Sequence, residues 1–396
     1  MQPQNDYSYI NYELVERAAE SVISRLASWA NASIFGPRQG KLEYQFPLLR
    51  APNACISGDR DRPWHRTISI SLEMLLRMYR DAFVYPIVAK RIESETDVIS
   101  AINATFADVG IESIAFSAGI PVLPCESLVG PISQYASAFA DGVESRGDSR
   151  ITRNDINFRF LMFELMLTWA FFHELSHYLQ QHYLLDGSDH GVQHGVIIQE
   201  EISRGGAVDH SLHRQAREIL ADAEGLNLTI SLLRQSGRFQ FPTMYALLCS
   251  VCCMFQCFFE SCSSTSLKTV GSHPHPIIRD EFISRCWIRL ISSCLAMDQV
   301  SLSESGAAVQ LTYMSIRAST ITALIRSQRA SEQFNTPLPS YMHLQSEHNQ
   351  EEFDSCVSEL KREIEREASA IKDLHLYPDL FSGSLSALLV PFTSDR

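Results

Sequence analysis

The chain has 396 residues and a formal net charge of −13, with 45% hydrophobic and 20% charged residues. This composition is typical of a globular protein, and the length allows either one elaborate domain or two. The acidic balance argues against the clustered Lys and Arg of a nucleic-acid-binding surface, so we expect no nucleic-acid partner.

The N-terminal stretch and the cysteines bear on the cellular compartment. The first twenty residues lack the basic start and apolar run of a secretory signal. Half of the ten Cys crowd into residues 249–262 instead of spreading as a disulfide framework. We therefore expect a cytoplasmic protein with reduced thiols.

The N-terminal third begins with helical and irregular segments. Apolar periodicity predicts an amphipathic helix over residues 10–30, and its absence predicts loop with short extended pieces over 36–67. Residues 68–92 are expected to form a helix with a kink or break around Pro86, followed by a shorter helix over 96–107.

Two further segments precede the central helix. Residues 111–124, IESIAFSAGIPVLP, are short, β-prone and punctuated by Gly119, which predicts a strand or hairpin. Residues 141–155 are polar and charged, and we expect them to form a solvated loop.

The most informative stretch is HELSH, in which His173 and His177 are separated by four positions and Glu174 lies between them. Positions i and i+4 share one face of a helix, so both imidazoles are able to bind one ion. Glu174 is rotated by about 100°, which suits contact with a metal-bound water better than contact with the metal. This HExxH pattern is typical of zinc hydrolases.

The flanks of HELSH predict one long, largely buried helix, in which paired imidazoles would be costly without a partner. They contain no Pro or Gly, and apolar residues recur at helical spacing: Phe158, Leu161, Met162, Leu165, Trp169 and Phe172. The alternative is a chance HExxH on a helix with two surface histidines.

Residues 184–211 contain five Gly and many polar residues, which predicts a long loop with the option of a short strand at 196–199. Four histidines in or after this loop are rival metal ligands: His190, His194, His210 and His213. The extended HExxHxxGxxH pattern does not hold, because Gln180 and Tyr183 occupy the positions of its Gly and last His.

A second helix is predicted over Leu212–Leu233, with Glu218 and Asp222 one turn apart. A zinc ion held by two His needs a third protein ligand, which Glu218 would supply. Asp222 would accept a hydrogen bond from a ligand His and so determine its tautomer. The alternative is an exposed acidic face.

Residues 239–259 are uncharged and form either a buried core helix or a membrane-spanning one. We favour the core helix, because Gln240, Pro242, Ser250 and Gln256 interrupt its apolar character. Its cysteines at 249, 253 and 257 share a helical face as small core residues, and a separate metal site there is disfavoured.

The remaining chain is predicted to be mainly helical. Helices are expected over 281–297, 307–328 and 354–374, the last with a solvated charged surface and one narrow packed face. Residues 336–340 are a turn or linker, and the apolar end is expected to dock on the core.

The block REILADAEG, which contains Glu218 and Asp222, together with SHPHPIIRD at 272–280, resembles the gluzincin peptidases related to HtpX-type and CAAX-prenyl proteases. With HELSH, three blocks occur in that family's order, over about a third of the chain. In the third block His273-Pro274 is followed by Arg279, and His275-Pro276 offers a second register.

The resemblance implies a role for each residue of these blocks. It makes His173, His177 and Glu218 the zinc ligands and Glu174 the general base. It places Asp222 behind a ligand, Arg279 as a buried organiser, and His273 beside the substrate as a second catalytic group. It also implies a strand beside the active-site cleft, for which residues 111–124 are our candidate.

We therefore expect a predominantly helical α+β fold with a zincin-like core, a small β-sheet and additional helices. The catalytic core is assigned to residues 151–300, preceded by a mixed region over 1–150 that contributes the edge strand. A helical region over 301–396 packs on the core.

The expected function is that of a cytoplasmic zinc metalloendopeptidase, a hydrolase that cleaves a protein or peptide substrate. By analogy it would be a dedicated protease, as in bacterial defence or stress. Three alternatives stay open: a membrane-associated quality-control protease, a non-catalytic metal-stabilised binding or regulatory protein, and a zinc hydrolase acting on a non-peptide amide. The substrate and the oligomeric state do not follow from the sequence.

Overall fold

The computed structural model describes residues 12–49, 52–58, 62–95, 116–128, 130–145, 147, 151–185, 196–197, 212–257, 267, 273–298, 304–334 and 350–389. The helices are α1 Tyr12–Ala30, α2 Leu72–Glu95, α3 Pro131–Glu144, α4 Arg153–Leu179, α5 Leu212–Gln235, α6 Phe241–Cys257, α7 Pro276–Met297, α8 Glu304–Phe334, α9 Gln350–Leu374 and α10 Pro378–Leu389. The strands are β1 Lys41–Gln45, β2 Ala54–Gly58, β3 His65–Ile70, β4 Phe116–Ser117, β5 Ile120–Pro121 and β6 Val196–Ile197. The fold is α+β and predominantly helical, as expected.

Helix α4 carries HELSH and lies at the centre of the core. It begins with a capping box in which the Thr152 side chain accepts from the Asp155 amide and the Asp155 carboxylate accepts from the Thr152 amide. From Phe158 to Leu179 every residue is buried. A helix that is buried on all sides needs other elements to cover every face. Helices α1, α2, α3, α5 and α6 do so, together with β2 and β3.

The main sheet has the order β1-β3-β2-β6. Strands β1 and β3 are parallel, whereas β2 pairs antiparallel with both β3 and β6. Ile56, Ile68 and Ile70 are buried from these strands. The expectation of loop with short extended pieces over 36–67 was right about the extended pieces but missed their pairing. The partners are distant in the chain, since Lys41 pairs with His65 and Ser57 pairs with Ile197.

Residues 111–124 are our candidate for the strand beside the active-site cleft, and the structure describes 116–124 of them. Those residues form a hairpin from Phe116 to Pro121, as predicted, but it is a separate two-stranded sheet. The ring of Phe116 packs edge-on against Tyr245 at 5.5 Å, and Arg317 donates to the Gly119 carbonyl at 3.1 Å. The hairpin also packs on α2, and the Asn154 side chain in the first turn of α4 donates to the Pro121 carbonyl at 3.0 Å. Strands β2 and β3 contact α4 as well.

Three predicted boundaries are corrected. Residues up to Ile70 belong to β3, so α2 begins at Leu72. Helix α2 then continues through Pro86 without a break. An internal proline costs about 3 kcal/mol, and contacts of α2 with α4, α6 and α8 offset that cost. The loop expected from 141 starts later, because α3 extends to Glu144.

The described part of the uncharged segment at 239–259 contains α6, Phe241–Cys257, which is a core helix, as favoured. All of α6 from Thr243 to Cys257 is buried, including the cysteines at 249, 253 and 257. None of the helices in the described part of the chain combines the length and the hydropathy that a membrane span requires.

The C-terminal helices pack as predicted. Helix α9 is highly charged and buries one narrow stripe, made of Leu360, Ile364, Ala368 and Ile371, against α5. Helix α10 docks on α5 and α7. One hydrophobic cluster runs from Val15 in α1 to Leu388 in α10, so the three regions drawn from the sequence share a core. The expected helix at 96–107 and linker at 336–340 lie outside the described residues.

Candidate metal centre

Gly225 determines how closely α4 and α5 approach each other. A Cβ atom at this position would lie 2.9 Å from the backbone nitrogen of His173 and 3.0 Å from its Cα. Only glycine allows two helix backbones so close without displacement. Glu218 lies two turns before Gly225 on the same helix. The close contact therefore brings its carboxylate against the two imidazoles of α4.

The three predicted ligands converge in one buried group. The Nε2 atoms of His173 and His177 are 3.1 Å apart. The Oε2 atom of Glu218 lies 3.4 Å from His173 Nε2, and its Oε1 lies 3.5 Å from His177 Nε2. Together they form a group able to hold a metal ion, and all three residues are buried.

The spacing of these atoms fits a bound cation better than it fits direct contacts. Tetrahedral zinc with bonds of about 2.0–2.1 Å would hold its ligand atoms roughly 3.3–3.4 Å apart. At most one of the two facing Nε2 atoms donates to the other, and the oxygens of Glu218 face imidazole nitrogens at 3.3 to 3.5 Å, at the long end of hydrogen-bond distances. Imidazole nitrogen and carboxylate oxygen are also the donors that zinc accepts. The residues present therefore suit the ion that the sequence implied.

Asp222 and Arg279 stand behind His173. Asp222 Oδ1 lies 2.9 Å from His173 Nδ1, on the opposite side of the ring from the ligand nitrogen. Arg279 donates two hydrogen bonds to the same carboxylate, at 2.9 and 2.7 Å, and its guanidinium covers the ring of Phe255 at 4.6 Å. Arg279 is 1% exposed, so this arrangement is fully inside the core.

His177 has a different partner, which the sequence analysis missed. Its Nδ1 atom lies 2.7 Å from Nδ1 of His182. The contact depends on Gln181, whose backbone is left-handed with a φ of 52° and turns the chain back towards the helix. Nothing in a spacing of five residues indicates such a contact, because i and i+5 do not share a helix face.

Glu174 and His273 complete the predicted set. Glu174 is 2% exposed and is not a member of the ligand group among the described residues. His273 Nε2 lies 3.3 Å from Glu218 Oε2, and its side chain is 19% exposed. His275 caps the N-terminus of α7, where its Nδ1 accepts from the Ile277 amide at 3.2 Å. Of the two His-Pro registers, the first therefore reaches the centre.

Opposing effects set the pKa values of the group. Burial disfavours charge on His173, but hydrogen bonds to Asp222 and Glu218 outweigh it and hold the pKa of His173 well above its usual range. Burial would raise the pKa of Glu218, yet the facing His177 and His273 lower it well below normal. Burial, followed by the nearby His177, lowers the pKa of His182 and so favours its neutral form.

The rival ligands are not part of the group. His213 lies in the first turn of α5 and is absent from the ligand group of the described residues. His190, His194 and His210 lie outside the described residues.

Comparison of the chain with protein-family models, with curated proteins and with solved structures finds no match. The chemistry of the centre is therefore argued from its own geometry.

Proposed function

We propose that this protein is a zinc-dependent endopeptidase with a gluzincin-type centre. The observation that carries the proposal is the convergence of His173, His177 and Glu218 at mutual distances of 3.1 to 3.5 Å, with Glu174 adjacent in the chain. Two imidazoles and one carboxylate leave a fourth position for solvent or substrate, as in catalytic zinc sites.

Zinc in such a centre supplies Lewis-acid polarisation of a carbonyl oxygen and acidification of water. The protein's own groups handle the protons. Glu174 takes the proton of the attacking water and delivers it to the leaving amine. His273, the most exposed imidazole of the set described above, donates a hydrogen bond to the negative charge on the carbonyl oxygen.

Asp222 and Arg279 hold the centre in its working form. Asp222 accepts from Nδ1 of His173, so that Nε2 of the same ring keeps its lone pair for the metal. Burial by itself would raise the pKa of Asp222. The positive charge of Arg279 and the hydrogen bond to His173 outweigh burial and keep that pKa below its usual value. An ionised Asp222 is the stronger acceptor, and it makes His173 a stronger ligand.

The test is a pair of variants. Glu174→Gln is expected to retain about one zinc per chain and to lose 10²- to 10⁴-fold in hydrolysis of labelled casein, since it removes only the general base. His177→Ala is expected to lose the zinc itself. Glu126→Gln, an exposed position, is the matched control and should change neither property. A Glu174→Gln protein that still hydrolyses casein at the wild-type rate would contradict the proposal.

A metal-stabilised binding protein is the second candidate, favoured by the burial of all three ligands. Structural zinc sites usually have four protein ligands, whereas the described residues bring together three. A structural site also has no use for Glu174. Wild-type protein that holds zinc but cleaves neither casein nor a peptide library would support this second candidate.

For the biological setting we propose a cytoplasmic protease with a protein or peptide substrate. A membrane-associated quality-control protease is less well supported, because α6 is a buried core helix. Fractionation of cells that make the protein tests the choice. Recovery in the membrane pellet after a salt wash would favour the membrane-associated enzyme.

A further inference from the structure

The turn after α4 brings one more imidazole, that of His182, against the metal centre. Helix α4 ends at Leu179, and the left-handed Gln181 starts a short helical turn from His182 to Leu184. As a result the rings of His182 and His177 lie 4.8 Å apart, inclined at 72°. Their Nδ1 atoms are 2.7 Å apart, which is the distance of a strong hydrogen bond.

Proton placement in this contact follows from the ligand role of His177. When Nε2 of His177 binds a metal, the single proton of the neutral ring lies on Nδ1. His182 Nδ1 must then accept that hydrogen bond, and its own proton lies on Nε2. His182 is 5% exposed, so solvent competes little for the contact.

The buried position of the His182 ring costs free energy, because one of its nitrogens lacks a hydrogen-bond partner among the described residues. His182 Nε2 is buried and has no hydrogen-bond partner among the described residues. A buried donor without a partner is unfavourable and calls for a reason. Acceptance from a metal ligand through the other ring nitrogen is such a reason.

We infer that His182 is a positioning residue of the metal centre, which holds the tautomer and ring orientation of His177. The two ligand histidines then have unlike partners. His173 faces the carboxylate of Asp222, at 2.9 Å, and His177 faces a neutral imidazole. A second carboxylate would raise the electron donation of both ligands, whereas an imidazole orients His177 without adding negative charge.

This inference rests on the proposed zinc centre, and an amide pair tests it. In His182→Asn the side-chain oxygen takes the place of Nδ1 and still accepts from His177. In His182→Gln the amide lies at the place of Nε2 and the acceptor is lost. His182→Phe removes both nitrogens and keeps a ring. Leu184→Ala, at an exposed position of the same turn, is the control.

Zinc affinity is measured by competition with a chromophoric chelator, and ligand geometry by the absorption of the Co²⁺-substituted protein. His182→Gln and His182→Phe should bind zinc 10- to 100-fold more weakly than wild type, with altered Co²⁺ bands. His182→Asn and Leu184→Ala should stay within a few-fold of wild type. If His182→Phe does not fold, the comparison of Asn with Gln decides.

The outcomes separate this inference from the proposed function. Equal zinc affinity in all variants, or equal loss in Asn and Gln, overturns the role of His182 alone. Zinc binding that follows the expected order in a protein without peptidase activity supports His182 and overturns the endopeptidase. Wild-type protein that binds no zinc overturns both.

Discussion

At the scale of single residues, Gly225 controls how closely the two helices of the metal centre approach each other. Gly225 supplies no ligand, yet the space above its Cα is filled by the backbone of His173. The distances of 3.4 and 3.5 Å between the Glu218 carboxylate of α5 and the two imidazoles of α4 depend on that contact. Protein interiors are closely packed and deform little, so one added methyl group between two helices displaces them or destabilises the fold.

Gly225→Ala should therefore separate α4 from α5. We expect a loss of about 1–3 kcal/mol in the free energy of unfolding, from overpacking against backbone atoms, together with weaker zinc binding. Gly142→Ala in α3 is the control, because a Cβ there meets nothing within 4 Å. That change should stabilise by about 0.5–1 kcal/mol. Urea unfolding and chelator competition measure both effects, and identical behaviour of the two variants would contradict this account.

At the scale of elements, the C-terminal helices brace the two helices that carry the ligands. Between α9 and α10, His375 Nε2 lies 2.9 Å from Glu224 of α5, and both side chains are fully buried. Gln180, at the end of α4, donates to the same carboxylate at 2.7 Å. The Leu376 amide also donates to the Leu179 carbonyl at 3.0 Å. One buried carboxylate thus joins α4, α5 and the C-terminal region.

Loss of His375 should destabilise the protein through Glu224. In His375→Ala the carboxylate keeps the Gln180 amide but loses its imidazole partner, and we expect a cost of about 2–4 kcal/mol in the free energy of unfolding. His375→Gln carries an N–H donor near the place of Nε2 and should recover part of that cost. Urea midpoints at equal slope give the comparison. Equal midpoints for the Ala and Gln variants would show that the loss of stability comes from the cavity left by the ring and not from the lost hydrogen bond.

At the scale of the whole molecule, a bound metal would connect two helices of the core, α4 and α5. His173 and His177 come from α4, Glu218 comes from α5, and these two helices have the most extensive contact of any pair in the described structure. An unfolded chain offers no such preformed site. Metal binding free energy is therefore added to the stability of the native state.

Removal of the metal should lower the thermal midpoint. With free zinc at about 1,000 times its Kd, the native state gains roughly 4 kcal/mol, so treatment with 1,10-phenanthroline should reverse that gain. Glu174→Gln should respond like wild type, because Glu174 is not a ligand. His177→Ala should show little response to the chelator. Differential scanning calorimetry with and without added zinc checks all three, and a wild-type midpoint that ignores the chelator would rule out a stabilising metal.

The sequence by itself determined most of the helices and the three residues that form the candidate metal group. Local apolar period was enough for α1, α5, α6 and α9, and the i, i+4 spacing in HELSH was enough to pair His173 with His177. These features depend on residues one or two turns apart, within which the helix leaves little choice of geometry.

Only the tertiary structure decided the contacts between distant parts of the chain. Strand pairing, the continuity of α2 through Pro86, and the choice of His273 over His275 all depend on packing that no local pattern encodes. His182 required one left-handed residue, and His375 required the docking of helices 151 residues beyond Glu224. Such contacts form because the assembled core makes them favourable, and that energy is a property of the whole fold.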